Sequence, residues 1–372
     1  MTRTTPPRPL DVEAVFPALA AHRRTATRLH PRPGTPTVRE SSVAGPLLWP
    51  ADEPWPADEP WPVCTATHTK GGGHLLSEVR LKRRIHAEAQ GRDLTEEELR
   101  VLRGIGRGNH APDLGKDAPV PMLAVAQLYA RDIPDLTGPE GHDLLQVLWC
   151  PFEAHGTGST IDVVLTWRRS ADVGTVLDPQ PEPRVAGRDE CVPTMCVVHP
   201  EQVVEYEYLG LLEEGLQEEI CSWRGGLLDD EEPDEDWDGE GGEEEDAPPP
   251  ASYATYEDYE AAMAAALEDE PESFTYMGDL SIAPGWKVGG FASWHLTDPA
   301  RVDCEVCDTP MPPLLTVDMW EGGGASRSWR PLEDRDGGPR AHDPVGVHLG
   351  RGLMRVHTCP ADPSHPHRLS FQ

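Results

Sequence analysis

The sequence predicts an α+β protein, mainly antiparallel sheet, laid out as two duplicated β-rich units with a helical hairpin inserted in the first. Three observations carry this. Short apolar runs alternate with period two, as half-buried strands do. In IDVVLTW, Ile161, Val163, Leu165 and Trp167 share one side. PMLAVAQLY, DLLQVLW, PPLLTVDMW and GLMRVH are similar runs bounded by Gly, Pro or Asp. Second, three segments recur in order. GHDLLQVLWCP (141–151) and GRGLMRVHTCP (350–360) share five of eleven residues, where background composition gives about one. PMLAVAQL, from Pro121, pairs with PLLTVDMW, from Pro313, and Val43, Gly45 and Trp49 match Val288, Gly290 and Trp294. Third, few helical signals are placed to serve as crossovers between parallel strands.

Along the chain, residues 1–40 read as a Pro-rich tail around one short amphipathic helix over 12–28. The first unit spans 41–224. Near its start WPADEP stands twice in tandem. Trp49 precedes Cys64 by fifteen positions and Trp294 precedes Cys304 by ten, so removing one hexapeptide brings the first spacing to nine. The repeat is thus a slip in a loop between matched landmarks, which costs little closure entropy. The inserted hairpin covers 71–108 and carries nine bases and six acids when Lys70 is counted. Its second helix has Thr95 and Glu98 as a capping box, Leu94 and Leu99 as a staple, and Gly104 as a stop. Residues 225–252 read as a disordered acidic linker, with 13 acids and no base over 229–246. The second unit, 253–372, opens with a helix in TYEDYEAAMAAALEDE, capped by Thr255, with Tyr256, Tyr259, Met263 and Leu267 on one face.

Composition bounds the function. The 372 residues hold Lys+Arg 32 against Asp+Glu 65, a net charge of −33. Such a field repels nucleic-acid phosphates and anionic membrane surfaces. The bases of 80–84 are read as the outer face of a surface helix. No window approaches the roughly 18 apolar residues of a membrane span, and no signal-peptide core is evident. A cytoplasmic protein is expected, in which eight cysteines serve as thiols or metal ligands rather than disulfides.

The recurrence aligns chemistry too. In the second unit CEVC supplies Cys304 and Cys307, and CPADPSH supplies Cys359 and His365, a set suited to tetrahedral zinc. His367 and His357 compete for the fourth place. In the first unit CTATH supplies Cys64 and His68, and CPFEAH supplies Cys150 and His155. In both, the second pair follows a strand that a Pro ends, so the ligands belong at strand ends. A closed four-ligand site is structural, because catalysis needs an open position. Cys191, Cys196 and Cys221 have no counterparts and read as small core hydrophobes.

SSVAGPLLWPADEPWPVC, PMLAVAQLYARDIPDL, GHDLLQVLWCPFEAH and WKVGGFASW together resemble the YwqG-like proteins, a bacterial family of unknown function. The resemblance covers about 41–170 and 272–372. Some members lie near toxin and immunity loci, which implies an immunity-type, partner-binding role. No catalytic residues come with it.

No G-x-S-x-G, H-E-x-x-H or G-x4-G-K-[ST] motif is present. The leading expectation is a non-enzymatic, zinc-stabilised interaction module for a basic protein partner, using the groove between the units with exposed Trp55 and Trp61. The alternative is a metal-dependent enzyme whose first-unit site is open, with Cys64, His68 and Cys150 holding zinc and Asp143 or Glu153 nearby beside His142 and His155.

Overall fold

The computed structural model describes residues 2–52, 61–68, 73–89, 92–105, 114–155, 160–223, 274–322, 324–335, 343–350 and 352–372. In chain order the strands are β1 (Arg23–Arg28), β2 (Arg32–Pro33), β3 (Ser42–Val43), β4 (Val63–Cys64), β5 (His74–Leu75), β6 (Val120–Pro121), β7 (Leu123–Tyr129) and β8 (Leu144–Trp149). There follow β9 (Val163–Arg168), β10 (Val185–Ala186), β11 (Cys196–Val197), β12 (Glu201–Tyr206), β13 (Lys287–Gly289), β14 (Pro313–Val317), β15 (Met354–His357) and β16 (Arg368–Phe371). The α-helices are α1 (Val12–Val15), α2 (Leu76–Ala89), α3 (Glu96–Gly104) and α4 (Glu214–Ser222), with a π-helical turn at Tyr276–Ser281. The acidic run expected over 225–252, the helix expected over 255–267 and Trp55 lie outside the described residues.

Two six-stranded antiparallel sheets form the framework, in the orders β2-β11-β3-β7-β8-β9 and β12-β1-β13-β14-β15-β16. The α+β class with antiparallel sheet is as expected. Each sheet ends in a four-strand meander, and the registers match. Ser42, Gln127, Gln146 and Thr166 pair in succession across one; Lys287, Thr316, Arg355 and Ser370 do so across the other. Both second meander strands carry an irregularity at the same place, between Ala124 and Ala126 and between Pro313 and Leu315.

This register moves one sequence match by three residues: Pro121 corresponds to Pro310, not Pro313. Met122 and Met311 then coincide, and their N–H groups donate to Pro62 and Val302 oxygens, each at 2.8 Å. The physical reason is the bulge. Leu123, Val125, Ala126 and Leu128 all join the core, so alternation breaks and a period-two match has no unique solution.

The two remaining strands of each sheet come from one ribbon, in which 23–33 runs antiparallel to 196–206. Its inner strand changes over, β11 touching β3 in the first sheet and β1 touching β13 in the second. A helix over 12–28 within a tail is therefore corrected. α1 stops at Val15, a 3-10 segment covers Pro17–Ala21, and Arg23–Arg28 lies inside the second sheet. Pro17 cannot donate to a continuing helix. Glu201–Tyr206, assigned from sequence to the first unit, also completes the second sheet.

The inner faces share one core, in which Val43, Val147 and Trp149 meet Val288, Leu315 and Val356. Cys191 and Cys196 are buried in it, as expected, but Cys221 is exposed on α4. A second cluster packs Val12, Phe16 and Leu19 against Tyr206, Leu216 and Leu280. The capping box of α3 forms in full, Thr95 accepting from Glu98 N–H and Glu98 from Thr95 N–H. Of the bases of α2, Arg80 and Lys82 make exposed pairs with Glu182 and Asp189, and Arg83 turns inward, donating to Asp189 and Gly346 oxygens at 2.8 and 2.7 Å. Trp61, expected to be exposed, is 1% accessible; its Nε1 donates to Met122 O and its ring packs on Trp49. No described helix is long and apolar enough to cross a membrane.

Candidate metal centres

The short β4–β6 pairing builds the first centre. Cys64 pairs with Val120, and the following turn returns through His68, whose N–H donates to Lys116 O at 3.1 Å. Cys150 leaves the end of β8 with its N–H on Asp162 O, and His155 is pinned by reciprocal backbone bonds to Thr160. The side chains converge. His68 Nε2 lies 3.3 Å from both Cys64 and Cys150 sulfurs, and His155 Nε2 lies 3.9 Å from Cys64 Sγ. The His68 ring stacks on Phe152 at 4.6 Å, which fixes its plane.

The second centre uses equivalent strand ends. A bridge between Asp303 and Pro310 stands where Val63 pairs with Pro121, so Cys304 occupies the place of Cys64. Cys304 N–H donates to Thr309 O and its carbonyl accepts from Asp308 N–H, closing a knuckle that presents Cys307. Cys359 follows β15 as Cys150 follows β8. His365 Nδ1 lies 3.4 Å from Cys304 Sγ and 3.6 Å from Cys307 Sγ, and the Cys307 and Cys359 sulfurs are 3.5 Å apart. Asp362 Oδ2 stands 3.7 Å from the other nitrogen of His365, where an outer carboxylate orients a metal-ligating imidazole.

All eight residues singled out from sequence thus fall into two quartets, and within each the donor atoms lie within 4.8 Å of one another. Donors around a tetrahedral ion with ~2.3 Å metal–sulfur and ~2.0 Å metal–nitrogen bonds stand roughly 3.3–3.8 Å apart. Both quartets are able to hold a metal ion. The competing histidines are placed elsewhere. His357 spends both ring nitrogens, on Met311 O and Ser370 Oγ, and burial pushes it down to about 4. His367 is lowered by burial and bonds the backbone at Val163.

Each quartet already favours a thiolate, the form that binds metal. The hydrogen bond from Cys150, opposed by burial and aided by His68, draws Cys64 down to about 5, while Cys150 is pushed up. Hydrogen bonds from Thr309 bring Cys307 down to about 6, and desolvation raises Cys359.

The groups proposed for catalysis have structural partners. Asp143 accepts from Ser170 N–H and Oγ. Glu153 accepts from Gly350 N–H at 2.6 Å and pairs with Arg188 at 3.0 Å. His142 is bonded to Glu140 O. Sequence reasoning missed a polar row across each sheet, Gln127–Gln146 in one and Thr316–Arg355 in the other. Buried polar residues at outward-facing strand positions were the signal. No family model matches the chain, and no curated protein matches it.

Proposed function

We propose that this chain is a non-enzymatic protein-interaction module whose two β units, copies of one ancestral unit, are each closed by a structural zinc ion. The observation that carries it is the closure of both quartets, four sulfur and nitrogen donors gathered within 4.8 Å. A filled four-ligand sphere leaves no position for substrate or attacking water. His155 joining the first quartet argues against the open-site enzyme. Thiolate and imidazole in a tetrahedron favour zinc among the common ions. Matched strand order, matched bulges and matched cysteine positions support the duplication, and the quoted motifs support membership of the YwqG-like family.

The partner follows from charge. At −33 the chain attracts a basic protein, steers its approach, and turns away nucleic acid and anionic membrane. An immunity-type role, masking a basic toxin in the cytoplasm, is the concrete form.

Metal analysis of the native protein tests the reading. Two zinc ions per chain that exclude azide and hydroxamate support it; one exchangeable zinc that binds either probe favours the enzyme. The partner arm is an association with a basic protein that weakens as salt rises, and a salt-insensitive complex sinks the electrostatic argument.

A further inference from the structure

The polar row of the first sheet is filled, and the matching row of the second borders an open cavity. In the first, Gln127 Oε1 accepts Leu48 N–H at 2.6 Å while its amide donates to Val38 O at 2.9 Å. Gln146 donates to Leu48 O at 3.0 Å. The register-equivalent residues in the second are Thr316 and Arg355. Arg355 Nη2 repeats one contact, donating to the Ser293 carbonyl, which matches that of Leu48, and to Ser293 Oγ. Thr316 is too short to repeat the other. A space of about 330 Å³ is open beside it, within the range of small-molecule sites.

The polar groups around this space are built and buried. Arg355 is 1% exposed and Thr316 3%. Arg355 Nε and Nη1 have no hydrogen-bond partner among the described residues, and Thr316 Oγ1 is buried without one. Lys287, on the same wall, is already engaged by Glu205. Asp318 accepts from Gly285 and Trp320 N–H groups at 3.0 and 3.3 Å. The remaining wall is apolar, with Ile282, Phe291, Leu296 and Trp320. The Asp318 and Glu205 carboxylates balance the Arg355 charge through space, but N–H donors this far from bulk water and without an acceptor are costly, and the planar fork matches a carboxylate.

We infer that this cavity binds a small organic acid, its carboxylate on Arg355 and its apolar body against Phe291 and Trp320. The Asp318 carboxyl beside the site disfavours a second negative charge, so a monocarboxylate is taken in preference to a phosphate ester. The inference is independent of the metal reading.

The test is titration of the native, metal-loaded full chain with phenylacetate, phenylacetamide and inorganic phosphate, followed by calorimetry or NMR. Phenylacetate binds saturably in the millimolar range or tighter, and the uncharged amide binds about tenfold or more weakly. Thr316→Gln and Arg355→Gln install the first sheet's residues at matching positions. Each lowers phenylacetate affinity about tenfold or more with the melting transition retained. Equal binding of the amide, tighter binding of phosphate, no saturable phenylacetate binding, or unchanged affinity in Thr316→Gln overturns the assignment. Should Arg355→Gln fail to fold, Thr316→Gln decides.

Discussion

Cys64 and Cys150, eighty-six positions apart in the chain, set their sulfurs on one atom, His68 Nε2, each at 3.3 Å. The loop after β4 and the end of β8 are thus tied through three side chains. Cys150→Ser is expected to lower bound metal from two ions per chain to one. The lost clasp costs about 3 kcal/mol or more, a fall of about 6–12 °C in melting temperature. Metal analysis with calorimetry checks both. Unchanged stoichiometry refutes the quartet.

Glu321 links the ribbon to the second sheet, accepting from His30 at 2.9 Å and Arg32 at 3.3 Å. Burial raises its carboxyl, but the His30 bond and the Arg28 and Arg32 charges outweigh it and hold it at about 2. The unfolded carboxyl takes up a proton near 4.5, so stability from this ionised group is complete above that value. It is lost as pH falls from about 4.5 toward 2. Glu321→Gln should cost about 3 kcal/mol at neutral pH and flatten that acid limb in urea titrations. A parallel acid limb in the variant would show the group is not responsible.

Arg83 and Arg80 sit one turn apart on α2 yet differ in kind. Arg83 donates to Asp189, Gly346 and Val345 oxygens, joining α2 to two segments far apart in the chain. Its loss takes the donor from Gly346 O, while Asp189 O and Val345 O keep the Val192 and Thr194 N–H groups. Arg83→Ala should cost about 3 kcal/mol. Arg80 makes an exposed pair with Glu182, so Arg80→Ala should cost less than about 1 kcal/mol. Equal melting temperatures for the two variants would contradict this.

Gly290 adopts φ +74°, and a Cβ there would lie 2.2 Å from Glu205 Oε2 and 2.8 Å from Ala26 Cβ. Both left-handed backbone and contact forbid a side chain. Gly290→Ala is expected to cost about 2 kcal/mol or more and to disturb the buried Lys287–Glu205 pair. Soluble yield and urea melts report it; a variant as stable as the parent would exclude the strain.

The candidate ligands were legible because each lies in a short window with its own chemistry: C-x2-C, C-x3-H, and a Cys-Pro that ends a strand. The alternation of Ile161, Val163, Leu165 and Trp167 and the Thr95–Glu98 box were legible for the same local reason. Arg23–Arg28 was not. Its burial runs from exposed to fully buried along six residues, with no alternation to detect. Trp61 was misread because its indole N–H finds Met122 O, sixty-one residues away.

By itself the sequence determined the class of structure, the recurrence and the eight thiol and imidazole donors, since side-chain period and ligand type are properties of neighbouring residues. Only the tertiary structure decided which strands complete each sheet, where Pro121 finds its counterpart, and that Thr316 leaves a space where Gln127 fills one. Backbone hydrogen bonds in a sheet accept any strand of suitable shape, so partner, register and void are settled by packing across the whole chain.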